Sequence, residues 1–201
     1  WGNPYLTLTN DYIESAWHTF KIAYEKGFLY RGLYPVHICP RCETAVAYNE
    51  VEYETLTDPS IFVKFPIKDK KDEFLLIWTT TPWTLLANVA IMVNPEIEYV
   101  KVKTNSEILV VAKDLAEKVF EKAGKKYEIV ETLKGRRLKG TKYVHPFIDI
   151  PVQKDAIGKK GLHTVVLSDF VTTEEGTGLV HTAPGHGGED FKVGMENDLP
   201  V

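Results

Sequence analysis

Apolar positions recur at helical spacing near the start of the chain, then at alternating spacing through most of its remaining length. Ile13, Trp17, Phe20 and Tyr24 fall on one stripe, which predicts a helix over Asp11–Lys26. Asn10 or Asp11 can cap its start, Glu14 lies in its first turn and Gly27 ends it. A connector containing Pro and Cys residues, Tyr34–Thr44, leads into an extended stretch through Tyr53. From Asp58 the pattern changes. Ile61, Val63, Phe65 and Ile67 alternate with Phe62, Lys64 and Pro66, the signature of a half-buried strand. Further strands are predicted at Phe74–Thr81, Val89–Val93, Tyr99–Lys103 and Ile108–Val111, separated by turn residues such as Asn94-Pro95 and Thr104-Asn105-Ser106. Leu115, Val119, Phe120 and Ala123 predict a short helix closed by Gly124. Strands follow at Tyr127–Thr132, Tyr143–His145, Thr164–Leu167 and Gly178–Thr182, then a short helix from Glu189 to Met195. Many short strands with few helices predict a mainly β, α+β protein: a closed or nearly closed β-barrel with helical decorations over residues 58–201, and a helical connector over residues 1–57.

Composition narrows the function classes. With 201 residues, 44% of them hydrophobic, the chain can bury a real core. No apolar run reaches membrane-spanning length and nothing at the N-terminus reads as a signal peptide, so no membrane partner is expected. The first residue is Trp1, and the chain reads as if cut from something longer. A net charge of −4 argues against a surface that grips nucleic acid broadly. The basic stretch Lys134, Arg136, Arg137, Lys139 and Lys142 reads as a solvated hairpin. Cys39 and Cys42 are too close together to staple a fold, and a reducing, cytoplasmic setting is expected.

Two strings carry candidate chemistry. In Trp78-Thr79-Thr80-Thr81-Pro82-Trp83-Thr84, a buried strand turns polar at its end and Pro82 forbids its continuation. Thr79 and Thr81 share one face and Thr80 takes the other. Their hydroxyls both donate and accept, so such a strand end can hold a small polar ligand without presenting a charge. Alone, the run reads better as a plain strand edge; Trp83 and Asn88 nearby raise its interest. In the second string, Gly176 to Asp190, a strand holding His181 ends at Pro184, and a loop around His186 leads to Glu189 and Asp190. Asp190 can simply serve a helix start, or it can bind an ammonium group by a charge-assisted hydrogen bond. His181, His186 and Asp190 as a metal site lack the spacing of the stronger zinc motifs. A serine triad fails, since no Gly-x-Ser-x-Gly elbow exists. Cys39-Pro-Arg-Cys42 has zinc-knuckle spacing, half of a structural site, and fits a redox pair poorly; a plain turn with two free thiols stays open.

Taken together, Trp78-Thr-Thr-Thr-Pro-Trp-Thr-Leu-Leu-Ala-Asn88 and Gly176-Thr-Gly-Leu-Val-His-Thr-Ala-Pro-Gly-His-Gly-Gly-Glu-Asp190 resemble the editing domain inserted in class Ia aminoacyl-tRNA synthetases for isoleucine, valine and leucine. The segment from Asn3-Pro-Tyr through Cys39-Pro-Arg-Cys-Glu-Thr-Ala looks like that family's connector, so the likeness spans nearly the whole chain. Gly187 after Pro-Gly-His looks most like the isoleucine branch, where the valine and leucine branches typically carry Asp. The resemblance implies an aminoacyl-ester hydrolase that proofreads valyl-tRNA(Ile) or valyl-adenylate. Its partners would be the 3′ acceptor end of tRNA(Ile) and the parent's catalytic domain. It implies Asp190, Thr80 and Thr81 at the reaction centre, with Thr79, Trp83, Asn88, His181 and His186 against the substrate. It implies no cofactor for editing, and structural zinc at Cys39 and Cys42 only in the full-length enzyme. The ATP-binding strings His-x-Gly-His and Lys-Met-Ser-Lys-Ser are missing, so aminoacylation by this chain is not expected. Three rivals remain at this point: a valine- or leucine-type editing domain, a non-catalytic module for the tRNA acceptor end, and a zinc hydrolase using His181, His186 and Asp190.

Overall fold

The computed structural model describes residue 2 and residues 4–201. By its internal contacts the chain divides into Trp1–Tyr34 and Pro35–Val201. The first unit holds helix α1 (Asn10–Glu25), which begins after Thr9 rather than at a side-chain cap. Gly27, at φ +73°, ends it. The Phe28 amide returns to Ala23 O at 2.8 Å and the Gly27 amide to Tyr24 O at 2.9 Å, so a glycine-closed cap satisfies the last carbonyls. No residue of α1 is buried, and its apolar stripe, Trp17 and Tyr24 included, is exposed.

In the second unit, β1 (Ile38–Cys39) and β2 (Thr44–Ala45) form a small antiparallel hairpin around the cysteine pair. Then come β3 (Ile61–Pro66), β4 (Glu73–Thr79), β5 (Ala90–Val93), β6 (Glu98–Thr104), β7 (Glu107–Ala112), helix α2 (Lys113–Lys122) and β8 (Glu128–Lys134). Helix α3 (Pro151–Ala156), β9 (Thr164–Leu167), β10 (Leu179–Thr182) and helix α4 (Gly188–Glu196) complete the order. Apart from the hairpin, the described strands form a five-stranded sheet in the order β3-β4-β7-β6-β8 and a three-stranded sheet in the order β10-β5-β9.

No sheet closes into a barrel, which corrects the barrel expected from the strand pattern. Closure requires the last strand to hydrogen-bond the first. Here β3 and β8 remain edges of one sheet, and β10 and β9 of the other. The two sheets instead abut where β4 meets β10, and single bridges, Ile67 to Tyr143 and Lys142 to Thr164, stitch another seam. Those bridges replace the strand expected at Tyr143–His145. Pro146 follows directly and brings no amide hydrogen to continue a ladder.

The core explains the packing. Phe65, Leu75, Ile77, Ile91, Val100 and Val110 are fully buried between the sheets. Leu115, Ala116, Val119 and Phe120 give α2 one apolar face. Strand β5 is buried along its whole length, as a central strand covered on both faces must be. Edge strand β8 buries only Leu133 and carries Glu128, Glu131 and Lys134, charges that discourage pairing with another chain. Buried Tyr99 acts as a spoke: its hydroxyl accepts from the Asn94 amide at 3.0 Å and donates to Gly178 O at 2.7 Å. Burial pushes its ionisation up to about 12. Gly135 lies so close to this spoke that an added Cβ would collide with Asn94 O.

Candidate functional site

Strand β4 delivers the threonine run. Leu75, Ile77 and Thr79 share the inward face and are buried, and Pro82 then opens a 3-10 turn over Pro82–Ala87. The hydroxyls are wired to one another. Thr79 Oγ1 accepts from the Thr81 amide at 3.0 Å and lies 3.3 Å from Thr81 Oγ1. The Thr84 hydroxyl donates to Thr81 O at 2.8 Å and lies 3.0 Å from His181 Nε2.

That donation fixes a tautomer. With its proton committed to Thr81 O, Thr84 can only accept from His181, so Nε2 carries the hydrogen and Nδ1 is an acceptor. Nδ1 is buried and without a partner among the described residues, as is the hydroxyl of neighbouring Thr182. Burial, with His186 and His145 nearby, lowers the His181 pKa to about 4, so the imidazole is neutral at physiological pH.

Strand β10 carries His181 beside the threonine turn, and Pro184 ends it. Helix α4 then starts at Gly188 without a side-chain cap. Asp190 sits in its first turn, but its Oδ2 accepts from the Ala183 amide at 2.8 Å instead of capping its own helix. Burial raises its pKa to about 6; the Ala183 bond opposes that shift, Glu189 adds to it and His186 opposes it. The acid therefore hangs from the end of the strand that carries His181.

The remaining expected residues divide. Trp83 and His186 are exposed. Asn88 is fully buried, its amide donating to Ala90 O at 2.7 Å and its oxygen accepting from Tyr143 at 2.5 Å. Thr80, exposed just past the end of β4, lines a cavity of about 390 Å³ with Trp78, Thr79, Phe170 and Gly176–Val180. That volume lies at the low end of small-molecule sites, about 300–1,000 Å³. Thr81, Trp83, His181 and Asp190 do not line it. Gly176, at φ +78°, forms its floor against Trp78, whose ring would lie 3.0 Å from an added Cβ. Sequence reasoning missed Thr84, although a threonine three residues after Thr81 and two after Pro82 is the spacing of a side-chain-closed turn. It also missed His145, Gln153 and His163, which lie far from either string.

The cysteine hairpin is a tight knuckle: the Glu43 amide donates to Cys39 O at 2.8 Å, and Glu43 adopts φ 55°. Amides of Cys42 and Arg41 point at the Cys39 sulfur and, with the Cys42 thiol, lower its pKa. Both thiols are free. Two such thiols could supply half of a thiolate zinc site. Among the described residues, no group of three or more His, Cys, Asp and Glu side chains converges as a ligand set.

Comparison with known proteins sets this geometry among relatives. The family profile for class I tRNA synthetases (I, L, M and V) matches residues 1–149, a span that includes the threonine run and ends before His181 and Asp190. The whole chain is similar to isoleucine–tRNA ligases, at 55% identity for Pyrococcus abyssi, 54% for Pyrococcus furiosus and 46% for Methanocaldococcus jannaschii. It spans only about a fifth of their length, 20% in each case. In fold it is similar to the solved structure of GlLeuRS-CP1, with a TM-score of 0.56 and 16% identity over 69% of this chain and 61% of that one. It is also similar to the P. knowlesi cytosolic leucyl-tRNA synthetase editing domain, with a TM-score of 0.52 and 12% identity over 66% and 60% of the two chains. At those identities the likeness is one of fold alone.

Proposed function

Because the chain belongs to the class I tRNA synthetases (I, L, M and V), we propose that it is their proofreading part, hydrolysing valine from tRNA(Ile) or from its adenylate. Valine and isoleucine differ by one methylene, worth only about 1–3 kcal/mol to a binding pocket, a limit for which isoleucine-charging enzymes are the usual example. A second site that admits only the smaller side chain supplies the remaining discrimination. The observation that carries this reading is the Asp190 carboxylate, held by the Ala183 amide at the end of the strand that bears His181.

In this reading the second carboxylate oxygen of Asp190 takes the α-ammonium of the valyl group, a charge-assisted bond that fixes the ester carbonyl. His181, held by Thr84, forms the wall that rejects isoleucine. Thr79, Thr80, Thr81 and Trp83 hold the terminal adenosine and the carbonyl region. Asn88, wholly engaged inside the protein, supports their turn rather than touching substrate. No side chain stands out as a base, so a positioned water attacks the ester carbon. The proton it sheds passes to the departing ribose oxygen of the ester, or to solvent when the adenylate releases its phosphate, with hydroxyl groups and proximity supplying the rate. The acceptor end of tRNA(Ile) and the catalytic domain of a parent enzyme are the proposed partners. Cys39 and Cys42 supply half of a structural zinc site completed in a longer chain.

The test is deacylation of valyl-tRNA(Ile) and of valyl-adenylate. Asp190→Ala is expected to abolish turnover while leaving the fold intact, and wild-type rates in that variant would remove the acid from the mechanism. His181→Ala is expected to begin cleaving isoleucyl-tRNA(Ile). Binding of the acceptor end without turnover by the unmodified chain would favour a docking module instead.

A further inference from the structure

Beneath the turn that follows the threonine run lies a polar network that neither sequence string contains. The 3-10 turn Pro82–Ala87 ends in carbonyls that its own backbone serves only in part: Leu85 O accepts from the Asn88 amide at 3.1 Å. Buried side chains from residues 145–163 add bonds to these carbonyls and to Asn88 O. His145 Nε2 bonds Leu85 O at 2.9 Å, and Gln153 Nε2 donates both to Leu86 O at 2.9 Å and to Asn88 O at 3.0 Å. His145 and Gln153 are 1% and 2% exposed, so their own polar groups rely on these bonds.

The direction of every bond is set by its neighbours. The Phe147 amide donates to His145 Nδ1 at 2.9 Å, so that nitrogen is an acceptor and Nε2 must carry the hydrogen that Leu85 receives. Gln153 spends its amino group on two carbonyls, so its oxygen accepts from His163 Nε2 at 2.7 Å. Both imidazoles are neutral in this arrangement, and burial lowers the pKa of each, His163 to about 4. The same turn carries Thr84 at its other end, and Thr84 holds both Thr81 O and His181.

We infer that Gln153 and His145 are positioning residues: donors that lock the 82–88 turn and so hold Thr81, Thr84 and His181 in register. They touch no substrate themselves. The inference rests on the proofreading reading for its catalytic consequence, but its structural half can be measured alone. A misplacement of about 1 Å costs a hydrolytic site on the order of a hundredfold in rate, so the expected signature is a fall in kcat with little change in KM.

The experiment uses the 201-residue chain, valyl-tRNA(Ile) and three substitutions. Gln153→Met keeps the length of the side chain but removes both donors. His145→Gln can still present an N–H where Nε2 stood, whereas His145→Asn reaches only the Nδ1 position. Expected results are a kcat lowered about tenfold or more in Gln153→Met and His145→Asn, KM within about twofold, and recovery to within about threefold of wild type in His145→Gln. Amide exchange of Thr84 and Asn88 is expected to quicken in Gln153→Met and His145→Asn and not in His145→Gln. Equal behaviour of the two His145 variants, or wild-type kcat and exchange in Gln153→Met, overturns the inference. Should Gln153→Met fail to fold, the His145 pair decides. If the unmodified chain shows no deacylation, the proofreading reading fails, and the exchange rates alone judge the positioning role.

Discussion

Replacing Asp190 by Asn should stabilise this protein at neutral pH while destroying the proposed activity. The carboxyl is raised from 3.8 to about 6, chiefly because burial penalises its charged form. A displacement of that size corresponds to about 3 kcal/mol of folding free energy forgone whenever the group is ionised. The figure already includes the favourable bond from Ala183, which an Asn oxygen can accept in its place. The sign comes from proton counting. Between pH 4 and 6 the folded state holds the proton more tightly than the unfolded state, so stability falls as pH rises through that window and levels off above it. His181 works the other way: its pKa, lowered to about 4, removes stability as pH falls below its ordinary 6.5. The two slopes oppose each other in the wild type, and the Asn variant separates them. For a chain of this size, about 2–4 °C accompanies each kcal/mol, so the variant should melt roughly 6–12 °C higher at pH 7.5. Its advantage should shrink through pH 6 and vanish near pH 4. Thermal melts followed by circular dichroism at four pH values suffice. A variant less stable than wild type at pH 7.5, or an advantage that does not change with pH, would refute this account of Asp190. A gain in stability paired with lost turnover is the mark of a residue kept for function against its own folding cost.

The same geometry sets other outcomes. Deacylation of valyl-tRNA(Ile) should rise with an apparent pKa near 6 as Asp190 ionises, and single-turnover rates between pH 5 and 8 would show a flat profile if the ammonium is held elsewhere. Gly135→Ala forces a methyl into Asn94 O, a backbone atom, and should cost about 3 kcal/mol, read from the urea midpoint. A chelator should leave deacylation unchanged, since the cysteine knuckle lies outside the reacting groups; rapid inactivation would revive a metal-dependent hydrolysis.

Much of this was legible in the residues. Period-two alternation located the strand around Phe65, short apolar runs between turn residues located those around Leu75–Ile77 and Val100–Val102, and the stop at Pro82 marked the end of the threonine strand. Closure was not legible, because a count of strands carries no information about which edges pair. The bridges at Tyr143 and Lys142 depend on contacts with Ile67 and Thr164, distant in sequence. Helix α3 was missed because six residues complete too few turns for periodicity to register. Thr79, His181 and Asp190 could be singled out by residue type and neighbours. The role of Asn88 could not, since an asparagine in a connection looks alike whether it meets a ligand or, as here, Tyr143 and Ala90 O.

The phenol of Tyr99 also has a bearing on the bench. It ties the β5–β6 corner to Gly178, next to the cavity floor, and it surrenders its proton only near pH 12. Esters hydrolyse spontaneously faster in alkali, so blank rates climb in basic buffer. The glycine segment, by contrast, keeps its anchor throughout that range, and any change seen there between neutral and mildly basic solutions originates in the substrate or elsewhere in the chain.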